Sequence, residues 1–296
     1  MRTAKLPLFA LVLALVLSVL TPASASGAPP GDGGFNDWSC EPSPAHPEPV
    51  VLVHGTGDNK DRTWRVLGPR LAEEGYCAFA LTYGVVPKMA LADDVVGGLM
   101  PIEYSAGELK SFVDSVLRAS GTRKVDIVGY SQGTMVPTYY AKLLDGADKI
   151  DEYVSLAPGW NGTNVAGMAT LYTLLRALGL QGVTNLLTDC RACPQLLTGS
   201  ELLRKLHKGG IFLPQISYTN IVTKYDEIVV PYTSGFRKGP NVRNVLLQDS
   251  CEADRTNHVG IVVDPNAVGH VLNALDPANA EPVRCVPMGP VAPSDH

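Results

Sequence analysis

The sequence predicts an α/β fold: a central, mostly parallel sheet flanked by helices. Three observations carry that prediction. Short, continuous apolar runs such as residues 50–53 and 125–128 read as strands buried on both faces, the pattern of a parallel sheet. Segments of helical periodicity lie between such runs, and alternating strands and helices wind into a parallel sheet by right-handed crossovers. At one strand-to-helix junction, Gly129-Tyr130-Ser131-Gln132-Gly133, a serine is bracketed by two glycines.

The elements follow in order. Residues 50–53 form the first strand and run into His54-Gly55-Thr56-Gly57. Helical periodicity follows over 64–72, and residues 76–83 are the second strand. Residues 105–118 are amphipathic, with Leu109, Phe112, Val113, Val116 and Leu117 on one side, and this helix ends near Gly121. Residues 125–129 are the third strand, followed by a helix over 134–144. Strands are expected at 153–156, 216–222 and 242–247, and a last helix at 265–275. So little chain precedes residue 50 that a pair of opening antiparallel strands is not expected.

Residues 158–215 break the alternation, because connections are usually far shorter. They hold an apolar stretch, 168–178, and a second, Leu202-Leu203-Arg204-Lys205-Leu206. An insertion there lies over the sheet edge that carries Ser131. It is expected to be a helical cap that lines an entrance for apolar chains, although a packed helix pair gives the same pattern.

Residues 1–25 read as a signal peptide: Arg2 and Lys5, an apolar run over 6–20, and the small-residue site Ala23-Ser24-Ala25. The expected location is therefore secreted, extracellular. Residues 26–49, rich in Gly, Pro and Ser, are expected to be a mostly irregular arm; 50–286 form the catalytic domain and 287–296 a loose tail. Without Arg2 and Lys5 the balance is 22 basic to 29 acidic residues, a net charge of −7. Such a surface has no footprint for nucleic acid.

Six cysteines, Cys40, Cys77, Cys190, Cys193, Cys251 and Cys285, favour disulfides in an exported chain. Fifteen connectivities are possible. The favoured one is sequence-adjacent: Cys40–Cys77, Cys190–Cys193 and Cys251–Cys285. Cys190-Arg-Ala-Cys193 also admits a redox or zinc reading, but no second CxxC or paired histidines accompany it.

The glycine-bracketed serine has the form of the nucleophile elbow of the α/β-hydrolases. A turn-facing serine is the bland alternative. A nucleophilic serine needs a base, and the base an orienting acid, in the chain order Ser, acid, His. Only His207, His258, His270 and His296 follow Ser131. His207 falls in the cap, His270 in the last helix and His296 at the end of the sequence. His258, eleven residues after Leu247, lies in the loop beyond the last strand, where the base belongs. The acid should follow the preceding strand. Asp226 is the first choice and Glu227 the second. For the oxyanion hole, Gln132 N–H is one donor and Thr56 N–H the other, with the Thr56 hydroxyl a possible third. His54 is read as orienting its loop and not as the base.

Gly55-Thr56-Gly57, Ser131-Gln132-Gly133, Leu156-Ala157-Pro158, Tyr218-Thr219-Asn220, Asp226-Glu227-Ile228-Val229 and His258 together resemble secreted bacterial lipases of the lipase class 2 group, in the α/β-hydrolase superfamily. They are also similar to the fungal lipase B type, whose disulfide pattern the two outer cysteine pairs match. The resemblance spans residues 40–285. It implies a minimal α/β-hydrolase fold with a helical cap insertion. It also implies carboxylester hydrolysis, triacylglycerols included, with no cofactor and no metal. The expected partners are a lipid or other ester substrate and transient contact with a lipid–water interface, and the expected state is a monomer. Two features depart from it. Tyr130 with Gly129 before it is the cutinase arrangement, although cutinases lack the His-Gly-Thr-Gly loop, and the cap segment matches lipase B only at its ends. The alternatives are therefore a cutinase-like polyester hydrolase, a peptidase, or a non-catalytic binding protein of hydrolase fold.

Overall fold

The computed structural model describes residues 33–87, 95–168 and 190–292. Residues 1–25, read above as a signal peptide, and nearly all of the apolar stretch 168–178, read above as part of a cap, lie outside the described residues. No helix among the described residues is long and apolar enough to cross a membrane.

Seven strands form one sheet: β1 (Gly34–Phe35), β2 (Val50–Val53), β3 (Cys77–Leu81), β4 (Val125–Tyr130), β5 (Ile150–Leu156), β6 (Ser217–Val222) and β7 (Val242–Leu246). Their spatial order is β1-β3-β2-β4-β5-β6-β7, and every pairing is parallel. The chain adds strands outward from β2 to β3, then returns across β2 to place β4. The C-terminal ends of β2 and β4 thus flank the switch point, where α/β sheets bind ligands.

Burial on both faces explains the unbroken apolar runs. Side chains alternate across a strand. Val51, Val53 and Ile127 face one core with Leu109 and Val113 of α3 (Ile102–Ser120) and Val136 of α4 (Met135–Leu143). Val50, Leu52 and Val128 face the other, with Leu71 of α2 (Leu67–Glu73) and Val271 of a helix at Pro265–Leu275. A short α1 (Lys60–Thr63), capped by the Asn59 side chain, precedes α2, so the helix expected over 64–72 begins only at Leu67. Further along are α5 (Glu201–His207) and α6 (Leu247–Ser250), which makes the last helix α7.

The arm contributes β1, a two-residue edge strand beside β3, and the Cys40–Cys77 bond joins the arm to the first residue of β3. Cys190–Cys193 and Cys251–Cys285 are the other two bonds, and no cysteine is free. Residues 287–292, the described part of the expected tail, are irregular and are bonded to the loop that carries His258. Arg255 N donates to Met288 O (2.8 Å), and Asn257 bonds both the N–H and the C=O of Val291. Carbonyls and amides with no strand partner are satisfied there by the loop that carries His258.

Candidate active site

Ser131 sits directly after β4 with φ +52°, a backbone region that non-glycine residues rarely occupy. The two glycines make that turn possible by close approach. A Cβ on Gly129 would lie 2.3 Å from Gly133 O, and one on Gly133 would lie 2.0 Å from Val53 O. The turn therefore presses against the end of β2, and Ser131 projects at the sheet edge. A 3₁₀ turn, Ser131–Thr134, leads into α4, so the positive end of this helical segment faces the serine.

His258 and Asp226 arrive from separate loops, beyond α6 and beyond β6. Ser131 Oγ–H donates to His258 Nε2 (2.9 Å), and His258 Nδ1–H donates to Asp226 Oδ2 (2.8 Å). The carboxylate can only accept, which assigns the ring proton to Nδ1 and leaves Nε2 as the acceptor. The His258 and Asp226 side chains are 5% and 3% exposed, so this pair is shielded from water. The other Asp226 oxygen accepts the Ile228 N–H (2.9 Å) and Val229 N–H (2.7 Å), which fixes the carboxylate plane.

Glu227, the second choice for the acid, does not meet the imidazole. Its Oε2 accepts the main-chain N–H of His258 (3.0 Å), and its Oε1 accepts Asn257 Nδ2–H (3.0 Å). Of the other histidines that follow Ser131, His296 lies outside the described residues and two are occupied elsewhere. His207 donates from Nε2 to Trp160 O (2.7 Å), and His270 pairs with Ser250 Oγ (2.9 Å).

Thr56 and Gln132 flank Ser131 in the same pocket. The Thr56 hydroxyl donates to Gln132 Oε1 (2.5 Å), which ties the loop after β2 to the residue after the serine. His54 is fully buried behind this loop. Its Nδ1–H donates to Gly55 O (2.7 Å) and its Nε2 accepts Tyr83 N–H (3.3 Å), so both ring nitrogens are spent on main chain. Burial lowers its pKa to about 4 and keeps the ring neutral.

The pocket in front of Ser131 has a volume of about 330 Å³, as bounded by the described residues. Met135, Leu196, Ile228, Val229 and Val259 give it an apolar lining, and Arg62 with Asp58 a polar end. Asp58 accepts from Arg62 Nε (3.1 Å) and Thr63 Oγ1 (2.5 Å). Sequence reasoning missed this polar end. It also missed Tyr130, whose hydroxyl donates to His258 O (3.1 Å). Its pKa is raised by burial, so the hydroxyl keeps its proton. The available signal was adjacency: Tyr130 precedes Ser131, and Glu227 follows Asp226. No group of three or more metal-ligating side chains occurs among the described residues.

A family model for lipase (class 2) matches residues 47–268. Lipase B of Pseudozyma antarctica is 24% identical over 225 residues, 74% of this chain. The chain spans 58% of the length of that relative. Among solved structures, Aspergillus fumigatus lipase B superposes with a TM-score of 0.56 at 18% identity, over 85% of this chain and 56% of the other. The mature form of the Bacillus licheniformis lipase BlEst2 superposes at 0.53 and 15% identity, over 80% of this chain and 94% of the other. At these identities the two structures speak for the fold alone.

Proposed function

Because this chain belongs to the lipase class 2 family, we propose that it is a secreted serine carboxylester hydrolase that cleaves lipid esters such as triacylglycerols. The observation that most supports this reading is the Ser131–His258–Asp226 chain of hydrogen bonds at 2.9 and 2.8 Å. Ser131 Oγ attacks the ester carbonyl carbon while its proton passes to His258 Nε2. Asp226 holds the imidazole in the accepting tautomer and stabilises the imidazolium. The Thr56 and Gln132 N–H groups stabilise the tetrahedral oxyanion. The C–O bond to the alcohol breaks, the alcohol leaves with the proton from His258, and an acyl-serine remains. Water, deprotonated by the same imidazole, then releases the acid. No residue role in this sequence requires a metal or cofactor.

The apolar lining favours an acyl chain, since burying a methylene contributes about 0.8 kcal/mol. The basic–apolar–small start of the sequence and the three disulfides support export. Gly129-Tyr130-Ser131 favours a second reading, a cutinase-like polyester hydrolase. A series of p-nitrophenyl esters, tributyrin, a polyester film and a peptide substrate separates these. Hydrolysis of esters and tributyrin but not of peptide or film supports the lipase reading. Peptide cleavage without ester cleavage would overturn it.

A further inference from the structure

Holding an imidazole by its two ring nitrogens does not by itself place it. The ring of His258 hangs from a loop without regular structure, between Cys251 and the turn at Gly260–Val262, so no helix or strand ladder fixes its Cα. The main chain of this residue is instead held from both sides by side chains. Glu227 Oε2 accepts its N–H at 3.0 Å, and the Tyr130 hydroxyl donates to its C=O at 3.1 Å. The two holders are the chain neighbours of the other members of the triad: Tyr130 ends β4 just before Ser131, and Glu227 follows Asp226.

The two differ in kind. Tyr130 is buried, 4% exposed, and its ring lies 5.2 Å from the imidazole, tilted by 39°. Glu227 is exposed, yet both its oxygens are committed to the His258 loop, one to Asn257 Nδ2 and one to His258 N. A surface carboxylate making two such bonds is spending side-chain entropy that water would otherwise favour. Little of the core depends on it. The motion it opposes is displacement of the His258 main chain away from Ser131.

We propose that Glu227 and Tyr130 are positioning residues for the base, clamping the His258 peptide by its N–H and C=O so that Nε2 stays within hydrogen-bonding reach of Ser131 Oγ. This rests on the reading of Ser131, Asp226 and His258 as the triad. The clamp couples the three triad loops to one another. A shift of either neighbour is felt at the imidazole even though neither touches substrate.

The test uses the full-length protein and the variants Glu227→Ala, Glu227→Gln and Tyr130→Phe. It measures kcat and KM for p-nitrophenyl acetate, per active site titrated with a fluorophosphonate where His258 is kept and per protein concentration where it is replaced, alongside the melting temperature. Displacements of about 1 Å at a reacting group cost up to about a hundredfold in rate. The expectation is a ten- to hundredfold fall in kcat for Glu227→Ala and about tenfold for Tyr130→Phe, with KM within about twofold. Glu227→Gln should recover much of the loss, because its amide oxygen still accepts the His258 N–H. The same substitutions placed in His258→Ala should leave its residual rate unchanged, since there is no ring left to position. If per-site kcat stays at the wild-type value in Glu227→Ala and Tyr130→Phe while His258→Ala is inactive, the clamp is overturned. A fall confined to melting temperature or to the titrated fraction overturns it as well. A His258→Ala variant with wild-type kcat would instead remove the triad reading, and the clamp with it.

Discussion

Replacing His54 by Asn should change the acid sensitivity of the fold by a calculable amount. The ring is fully buried, donates from Nδ1 to Gly55 O, and has its pKa lowered from 6.5 to about 4 by desolvation. In the unfolded chain it binds a proton below 6.5; in the native protein it resists until about 4. The unfolded state therefore binds more protons between those values, so this contribution is whole above pH 6.5 and is lost as pH falls towards 4. At pH 4.5 the linkage relation gives a loss on the order of 2–3 kcal/mol relative to pH 7.5. Asn presents an amide N–H near the position of Nδ1 and does not titrate. Urea unfolding of both proteins at the two pH values reads the effect as a difference, in which every other titrating group cancels. Wild type should lose roughly 2–3 kcal/mol more than His54→Asn on acidification. Parallel pH dependences in the two proteins would refute the claim that a neutral buried His54 holds the loop.

Three further outcomes are expected. Gly133→Ala would place a Cβ 2.0 Å from Val53 O, so the turn must shift; kcat should fall by about a hundredfold with little change in KM, checked on a soluble ester. Loop lengths of 37 and 34 residues predict about 4 kcal/mol each from Cys40–Cys77 and Cys251–Cys285, against about 2 for the short Cys190–Cys193 loop; paired Cys→Ala variants compared by denaturant melts should reproduce that order. Burial, with the neighbouring Asp254 carboxylate, raises the pKa of Asp264 above its ordinary value of 3.8. The native state thus holds an extra proton whose benefit is whole below 3.8 and lost as pH rises through the raised value, and Asp264→Asn should gain stability over wild type at pH 8 but not at pH 3.5.

Strongly buried elements were the most legible in the sequence. β2 and β4 are apolar on both faces, and no surface helix reads that way. β5 begins at Ile150, earlier than its apolar run, because Asp151 and Glu152 occupy its first turn of pleat at the sheet's lower rim. β1 escaped notice because two residues cannot show a period, and its pairing depends on β3 and the Cys40–Cys77 bond. The contacts of residues 287–292 were not legible for a related reason: Pro and small residues carry no pattern that names a partner such as Asn257. Ser131, Asp226 and His258 were legible through chain order and strand-end placement. The roles of Tyr130, Glu227 and the Arg62–Asp58 pair were not: Glu227 was read only as the alternative acid, and contacts to main chain or across loops leave no local pattern beyond adjacency to Ser131 and Asp226.

Labelling with a fluorophosphonate, followed by peptide mapping, tests the account most directly. The reagent should leave one adduct, on the peptide carrying Ser131, with ester hydrolysis lost in proportion to labelling. Ser131→Ala should be neither labelled nor active, and His258→Ala should label slower by orders of magnitude. An adduct on another residue that tracks the loss of activity, or a Ser131→Ala variant that hydrolyses esters at the wild-type rate, would contradict it.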